Sequence, residues 1–473
     1  MALVQLVWFR SDLRVYDNAA LTEAMAQGPT IALFVACPQS WQQHDMAPVK
    51  QDLIRRRAQA LQQELARLNV PLLLVEGGSY HDVPSVFEQL MPLGIERVYS
   101  ELEYELREHN RDQALKDWLA VQGVAWWQCD RQCVFAPGSF VNGSGAMYQV
   151  YTPFKKRWLQ RFAEQGVQVL AKPKPQAPLV LDLPVITPMQ SGDNCSADWP
   201  VQPDELMQQL RRFCQQQVQD YKKLRDIPAL DATSRLSPYL AIGALSVRQC
   251  IARLQFEAGA DLQQSESGAS VWLSELIWRD FYKHVLMAWP HLIKHHPFQA
   301  ETAAIAWHND KTLFQAWCDG KTGYPLVDAA MRQLNQTGWM HNRLRMVVAS
   351  FLVKDLHIDW RWGEQYFMSR LIDGDFAANN GGWQWAASTG TDAAPYFRIF
   401  NPVTQSERFD PDGSFIRKWV PELAELSSKQ IHWPHTLPIG NTYPAAVVDH
   451  AKARQVTLEL FRQARQQSDD ADE

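Results

Sequence analysis

Short, uninterrupted apolar runs at Val4–Phe9, Ile31–Cys37, Pro71–Val75 and Arg97–Tyr99 punctuate residues 1–170. Runs of this length, rich in Val, Ile and Leu, suit strands of a parallel sheet, which are covered on both faces. Between them, Asn18–Ala26, Lys50–Leu68 and Val83–Leu90 repeat apolar positions every three or four residues, the spacing of a helix with one face on a core. Alternating strands and helices predict a doubly wound parallel α/β sheet. No G-x-G-x-x-G follows Val4–Phe9; the loop there reads Arg10-Ser-Asp-Leu-Arg-Val-Tyr-Asp. The dinucleotide fingerprint is absent, and fold type alone assigns no ligand.

Residues 171–203 break the pattern. Ala171-Lys-Pro-Lys-Pro-Gln-Ala-Pro, then Pro184, Pro188, Ser191-Gly-Asp-Asn and Pro200, sustain neither a helix nor a central strand, so the stretch reads as a linker. From Asp204 the period becomes helical. Leu206–Tyr221, Pro238–Ile242, Val247–Phe256, Val271–Ala288, Leu326–Asn335, His341–Leu356 and Trp362–Leu371 read as helices, and almost nothing reads as strand. The expected architecture is an N-terminal α/β domain over 1–170, a linker over 171–203 and an all-helical domain over 204–465. Residues 466–473, with Asp469, Asp470, Asp472 and Glu473, form a solvated acidic tail.

Composition narrows the function classes. A chain of 473 residues that is 46% hydrophobic and 21% charged is a folded protein of more than one core. Its net charge of −6 excludes a protein coated with basic charge for sequence-blind nucleic-acid binding, though not a local basic patch. The seven cysteines are odd in number, and Cys129-x-x-x-Cys133 lacks a second pair or a His cluster, so free thiols in a reducing compartment and no metal site are expected. The N-terminus carries no signal-peptide pattern and no run of 18 apolar residues occurs, so a cytoplasmic protein without a membrane span is expected. Tryptophan is the anomaly. Ten of the 19 fall between Trp272 and Trp385, about twice an even share.

Four segments concentrate polar chemistry. In Thr233-Ser-Arg-Leu-Ser237-Pro238, Ser237 suits an N-cap and Pro238 the first helical position. The segment fits either a plain capped helix or a phosphate held by hydroxyls and unpaired N–H groups. Ser246-x-x-Gln249 has capping-box spacing and needs no ligand. Trp272, Glu275, Arg279 and Tyr282 share one helical stripe with Trp278 beside it, and a carboxylate, a guanidinium and flat rings are unlike a core face. A Glu275–Arg279 surface pair over tucked aromatics is the plainer alternative. In Gly338-Trp-Met-His341-Asn342-Arg343-Leu-Arg345-Met346, Asn342, Arg345 and Met346 share a face; Asn342 can both donate and accept, as a nucleobase edge requires, while Met346 could be core filler. In Asp373-Gly-Asp375-Phe-Ala-Ala-Asn379-Asn-Gly381-Gly382-Trp383-Gln-Trp385, the glycines admit a flat ligand close to backbone, and Asp373, Asp375 and Asn379 offer acceptors for N–H edges or ribose hydroxyls. Paired carboxylates also occur in glycoside chemistry or metal sites, but no further acidic ligands cluster there.

Thr233–Ser237, Trp272-Leu-Ser-Glu-Leu-Ile-Trp-Arg-Asp-Phe-Tyr282, Gly338–Met346 and Asp373–Thr391 resemble the photolyase/cryptochrome family, and within it the bacterial class I cyclobutane pyrimidine dimer (CPD) photolyases of the folate-antenna type. The likeness runs from Leu6-Val-Trp-Phe-Arg-Ser-Asp-Leu-Arg to Asn401-Pro-Val-Thr-Gln405. It implies light-dependent repair: non-covalent FAD, reduced and excited, donates an electron to a dimer flipped out of UV-damaged DNA and recovers it after two C–C bonds break. Tyr221, Thr233, Ser234, Arg235, Leu236, Ser237, Trp272, Arg279, Arg345, Asp373, Gly374, Asp375 and Asn379 match the family's FAD contacts, with Asn379 facing flavin N5. Glu275, Trp278, Asn342, Arg343, Met346 and Trp385 match the lesion pocket, and Glu275, Asn342, Met346, Trp278 and Trp385 are the catalytic candidates. Arg225, Tyr282, Arg398 and Gln405 join the DNA contacts. Trp307, Trp360 and Trp383 match a chain of tryptophans that carries electrons to the flavin.

The resemblance also implies an antenna, 5,10-methenyltetrahydrofolate, at His44, Arg107, Glu108 and Lys294. Arg107 stands where this type commonly has Asn, so the folate's hydrogen bonding differs there. Two relatives of other function stay open: a blue-light receptor of cryptochrome type, and a (6-4) photolyase, which places a His pair near Asn342. The short acidic tail is unlike a long cryptochrome extension. A helical nucleic-acid-binding flavoprotein without photochemistry is a third reading. A monomer is expected.

Overall fold

The computed structural model describes residues 3–262, 266–436 and 443–472. The chain forms two compact units. One comprises Met1–Gln219, Ser234–Pro290 and Ile372–Gly374; the other comprises Asp220–Thr233, His291–Leu371 and Asp375–Glu473.

The first unit holds a five-stranded, all-parallel sheet. Its strands are β1 (Val4–Phe9), β2 (Thr30–Ala36), β3 (Leu72–Glu76), β4 (Ile95–Glu101) and β5 (Ala125–Cys129), in the spatial order β3-β2-β1-β4-β5. Helices α1 (Ala19–Gln27), α2 (Pro48–Ala66), α3 (Val83–Leu90) and α4 (Leu106–Val121) make the crossovers. The expected α/β class is therefore observed. Every residue of β1 and β2 is buried, which is why both read as largely apolar runs, with Gln5 and Thr30 the polar exceptions. β4 extends beyond the expected Arg97–Tyr99 in both directions. β5 escaped notice because Ala125-Trp-Trp-Gln-Cys129 is an edge strand, half-buried and without the Val/Ile run of its neighbours.

The order of strands reverses between β1 and β4, where doubly wound folds open a crevice at the strands' carboxyl ends. Here Arg10 follows β1 and grips both Asp112 oxygens at 2.8 and 2.7 Å. Arg111 reaches Glu103 at 2.6 Å, and the Trp8 ring lies 4.5 Å from the Arg10 guanidinium and 4.7 Å from that of Arg111. The proline-rich linker has a structural task. Glu76 N–H donates to Thr187 O and Met189 N–H to Leu74 O, both at 3.0 Å, so residues 187–189 pair antiparallel along the outer edge of β3. That edge is thereby closed to other chains.

The same unit carries α5 (Tyr151–Gln165), α6 (Pro203–Arg212), α7 (Ser237–Ala241), α8 (Val247–Ala258) and the 21-residue α9 (Gly268–Ala288). A single helix over Leu206–Tyr221 is not what forms. α6 ends at Arg212, and the chain widens into a π-type turn over Phe213–Gln217 before tightening at Val218–Asp220. The start of α9 presses on this backbone: a Cβ on Gly268 would stand 1.9 Å from Val218 O. Ser246 caps α8 with the reciprocal Gln249 bond that the spacing predicts.

The second unit is helical among its described residues: α10 (Lys311–Cys318), α11 (Pro325–Thr337), α12 (Asn342–Lys354), α13 (Trp360–Met368), α14 (Phe376–Ala387), α15 (Pro402–Phe409), α16 (Ser414–Trp419) and α17 (His450–Asp472). Its core is built from α11, α12 and the buried residues Trp317, Trp360, Phe367 and Trp383. α13 starts two residues earlier than expected because the Asp359 side chain accepts from the Arg361 N–H, which makes Asp359 the cap.

Candidate active site

α9 presents the mixed stripe of the first unit. Trp272 is buried against Phe213, ring centroids 4.8 Å apart. Arg279 Nη1 donates to Gln132 O at 2.7 Å and lies 3.7 Å from Asp280. Glu275 is half-buried and lies in the field of Lys155, whose pKa burial lowers while Glu275 opposes the shift. Trp278 is half-buried, with Tyr151 of α5 stacked on it at 3.6 Å and 8°. Tyr282, one turn further, lies tilted at 5.5 Å.

Ser237 departs from its expected part. It is the first residue of α7, preceded by Leu236 in a cap position that makes no side-chain bond. Its hydroxyl donates instead to Asp373 at 2.6 Å, joining two segments 136 residues apart. The loop before it turns through a positive φ of 52° at Arg235. Gly374, next to Asp373, accepts from the buried Lys50 ammonium at 2.6 Å.

In the second unit His341 caps α12: its Nδ1 accepts from the Arg343 N–H at 3.2 Å. The ring is buried and its Nε2 has no hydrogen-bond partner. Burial, with Arg345, Arg343 and Arg225 nearby, lowers its pKa to about 4 despite Asp226. Arg343 holds Asp226 at 3.0 Å and lies over the Phe409 ring, while Arg225 is 3.8 Å from the same carboxylate. Asn342 is exposed, and Met346 is half-buried with its sulfur 3.7 Å from Arg343, so it is not core filler. Arg345 donates to Met340 O. Tyr221 is buried under the Arg225 guanidinium, and Arg398 is exposed with Gln405 half-buried on α15.

Asp375 caps α14 by accepting from the Ala378 N–H at 3.0 Å. Asn379 donates through Nδ2 to Glu364 O at 2.9 Å, which leaves its amide oxygen as the acceptor end. The buried Glu364 carboxylate also takes Asn380 at 2.8 Å and His295 at 2.7 Å, so Glu364 holds Asn379 through its backbone carbonyl and Asn380 through its side chain. Nothing lies within 4 Å of where a Cβ of Gly382 would stand. A mid-helix glycine costs roughly 1 kcal/mol, and here no protein contact requires it.

Trp360 and Trp383 are buried in one core, against which Trp307 and Trp385 pack. Trp383 meets Phe367 edge-on at 4.9 Å and Trp317 at 6.0 Å, and its Nε1 has no acceptor. The Arg361 guanidinium lies 4.9 Å from the Trp360 ring, and Trp307 abuts Phe461 at 6.2 Å.

The antenna candidates divide. His44, Arg107 and Glu108 gather in the first unit, where His44 Nδ1 is 3.8 Å from Glu108 and Tyr80 donates to Glu108 at 2.8 Å. Burial and the neighbouring Glu105 and Glu103 raise Glu108 to about 7, and burial with Arg107 and Arg111 lowers His44 to about 4. At neutral pH the pair is therefore not a full ion pair. Arg107 donates to Gln43 O at 3.0 Å. Lys294 is exposed at the end of the turn Pro290–Lys294 and belongs to the second unit.

Tyr151, Lys155, Tyr80, Glu364 and Gly363 were absent from the sequence reading. Each matters through a partner far along the chain, and no local pattern marks them. All seven cysteines are unpaired, and no described helix is long and apolar enough to cross a membrane.

Comparison with known proteins adds a second line. Residues 5–178 match the family described as DNA photolyase, and residues 272–463 the family described as FAD binding domain of DNA photolyase. The deoxyribodipyrimidine photo-lyase of Vibrio cholerae is 53% identical, the alignment covering 98% of this chain and 100% of that one. The Escherichia coli enzyme of that name is 47% identical over 97% and 98%. Among solved structures, a bacterial class III photolyase from Agrobacterium tumefaciens superposes with a TM-score of 0.83 at 34% identity over 98% of both chains. A Synechocystis cryptochrome does so with a TM-score of 0.81 at 27% identity, covering 97% of this chain and 99% of that one.

Proposed function

Because the chain belongs to the DNA photolyase family, and repairs cyclobutane pyrimidine dimers in DNA in a light-dependent reaction with FAD, we propose how its own residues share that work. Reduced FAD supplies, on excitation, the electron that the repair needs. The residues present suit it. Asn379 has its Nδ2 spent on Glu364 and offers an oxygen to a ring N–H, and Gly382 leaves open the space that a flat ligand uses. Ser234, Arg235, Leu236, Ser237, Trp272, Arg279, Asp373 and Gly374, with Tyr221, Thr233, Arg345 and Asp375, hold the rest of the cofactor.

The observation that carries the lesion reading is the stripe on α9. A half-buried Trp278 backed on one face, with Glu275 one turn before it, is a poor core face and a good receptor for an extruded pyrimidine pair. Glu275 accepts from the lesion's N–H edge. Asn342, Met346 and Trp385 are assigned to the lesion by their match to the family's motifs. Arg225, Tyr282, Arg343, Arg398 and Gln405 contact the DNA. Trp307, Trp360 and Trp383 pass electrons to the cofactor; Trp360 and Trp383 share one apolar core and Trp307 packs against it, which supports this.

Three finer assignments follow the same reasoning. 5,10-Methenyltetrahydrofolate serves as antenna at His44, Arg107 and Glu108, with Lys294 as a further contact. Residues 1–170 carry that antenna, 171–203 link, 204–465 hold FAD and DNA, and 466–473 are tail. The protein works as a monomer in the cytoplasm, a setting that its seven unpaired thiols suit.

Illumination of the purified protein with CPD-containing and (6-4)-containing oligonucleotides, against dark controls, tests the whole. Light-dependent reversal of the CPD alone is expected. Reversal of the (6-4) product instead, or of neither, would reject the proposed receptor.

A further inference from the structure

Tyr151 and Trp278 are 127 positions apart, on α5 and α9 of the same unit, yet their rings lie 3.6 Å apart and within 8° of parallel. Tyr151 is buried, and its hydroxyl donates to Ser274 O at 2.8 Å. Ser274 is four residues before Trp278, so this carbonyl belongs to the helical turn that carries the indole. Lys155, one turn along α5, reaches the Ser274 hydroxyl at 2.6 Å. α5 thus grips the turn at two points while one of its rings covers the indole. Phe281 then meets the same indole edge-on at 5.5 Å.

An indole on an exposed helix face rotates about two side-chain bonds, and a ligand that stacks on it must freeze both. Trp278 has that freedom removed in advance. We infer that Tyr151 is a positioning residue for lesion recognition: it holds the Trp278 indole at the angle and depth at which an extruded pyrimidine pair stacks. The inference rests on Trp278 being a lesion-facing ring, as proposed above. It assigns a part in recognising damage to the helix Tyr151–Gln165, which none of the sequence motifs reached.

The mechanism is preorganisation, so its signature is a loss of discrimination rather than of DNA binding in general. Dark equilibrium binding of the FAD-loaded protein to matched oligonucleotides, one with a CPD and one undamaged, reads it directly. Tyr151→Leu is expected to lower the ratio of the two affinities about fivefold, from the loss of one ring stack. Its affinity for undamaged DNA and its FAD content stay as in the parent. Tyr151→Phe keeps the ring and is expected to stay within about twofold of the parent ratio. Should Tyr151→Leu not fold, Tyr151→Met, similar in bulk but flexible, carries the same expectation. Trp278→Ala runs in parallel. If it lowers the ratio and the Tyr151 variants do not, the inference is overturned and the receptor stands. If Tyr151→Leu weakens both DNAs equally, Tyr151 is merely structural and the inference is likewise overturned. If Trp278→Ala leaves the ratio unchanged, the receptor itself is misassigned.

Discussion

A Cβ placed on Gly363 would stand 2.1 Å from Cη2 of Trp383 and 2.4 Å from its Cζ3, so the indole rests on bare backbone of α13. Leu352 Cδ2, 2.6 Å from the same point, closes the other side. Glycine in the middle of α13 is thus the condition for Trp383 to occupy its place.

Gly363→Ala is expected to displace the Trp383 ring. Overpacking a core costs ~1–3 kcal/mol, and the better helix propensity of alanine returns ~1 kcal/mol of it. A net loss of up to about 2 kcal/mol in urea unfolding is therefore expected, together with slower photoreduction of oxidised FAD. Parent-like photoreduction in a destabilised variant would separate the ring's position from electron supply and count against the tryptophan chain.

His341 gives the stability a pH dependence of known sign. Its folded pKa is lowered to about 4, below the unfolded value of 6.5, so its contribution is fully present above pH 6.5 and is lost as pH falls through about 4. The full span is worth about 3 kcal/mol, at about 1.4 kcal/mol per pH unit. His341→Asn keeps an acceptor at the cap of α12 and removes the titration. The stability gap between parent and variant, followed by urea unfolding from pH 7.5 to 4.5, is expected to shift toward the variant as pH falls. A gap that does not move with pH would refute it.

Glu275→Ala is expected to lower the yield of dimer reversal per absorbed photon while FAD content and undamaged-DNA binding remain. Glu275→Gln keeps a carbonyl acceptor and is expected to lie between the two. A flash-repair assay in which Glu275→Ala performs like the parent would remove the carboxylate from the lesion's hydrogen bonding.

For the antenna, a near-ultraviolet absorption band distinct from FAD is expected in the purified protein and is expected to vanish in Glu108→Ala, which removes the centre of the Tyr80–Glu108–His44 cluster. Arg107→Glu, which puts a second acid beside Glu108, is expected to weaken the band as well. A deazaflavin spectrum, or no band in the parent, would overturn the folate assignment. CPD repair under light absorbed by FAD alone should be unchanged in both variants.

Much of the fold was legible because it is written in short-range pattern. β1 and β2 are buried end to end and apolar but for Gln5 and Thr30, since both faces are covered, and Ser246-x-x-Gln249 caps α8 because a cap is a four-residue affair. The misreadings also share a cause. Ser237 has the residue type of a cap, but a buried carboxylate, Asp373, competes for its hydroxyl. The helix expected over Leu206–Tyr221 yields at Phe213 because the start of α9 packs on its backbone.

The candidate site divides along the same line. Helical spacing showed which side chains of the α9 stripe share a face, and the motifs around His341 and over Asp373–Trp385 carried the family resemblance that implies FAD, pyrimidine dimers and a set of electron-carrying tryptophans. Sequence could not supply the supports. Tyr151 behind Trp278, Glu364 beneath Asn379 and Gly363 under Trp383 act at contact range across gaps in the chain of 127, 15 and 20 residues. Local pattern determines which groups are available. Only the folding of distant segments onto one another decides which of them are held still, and so which can do chemistry.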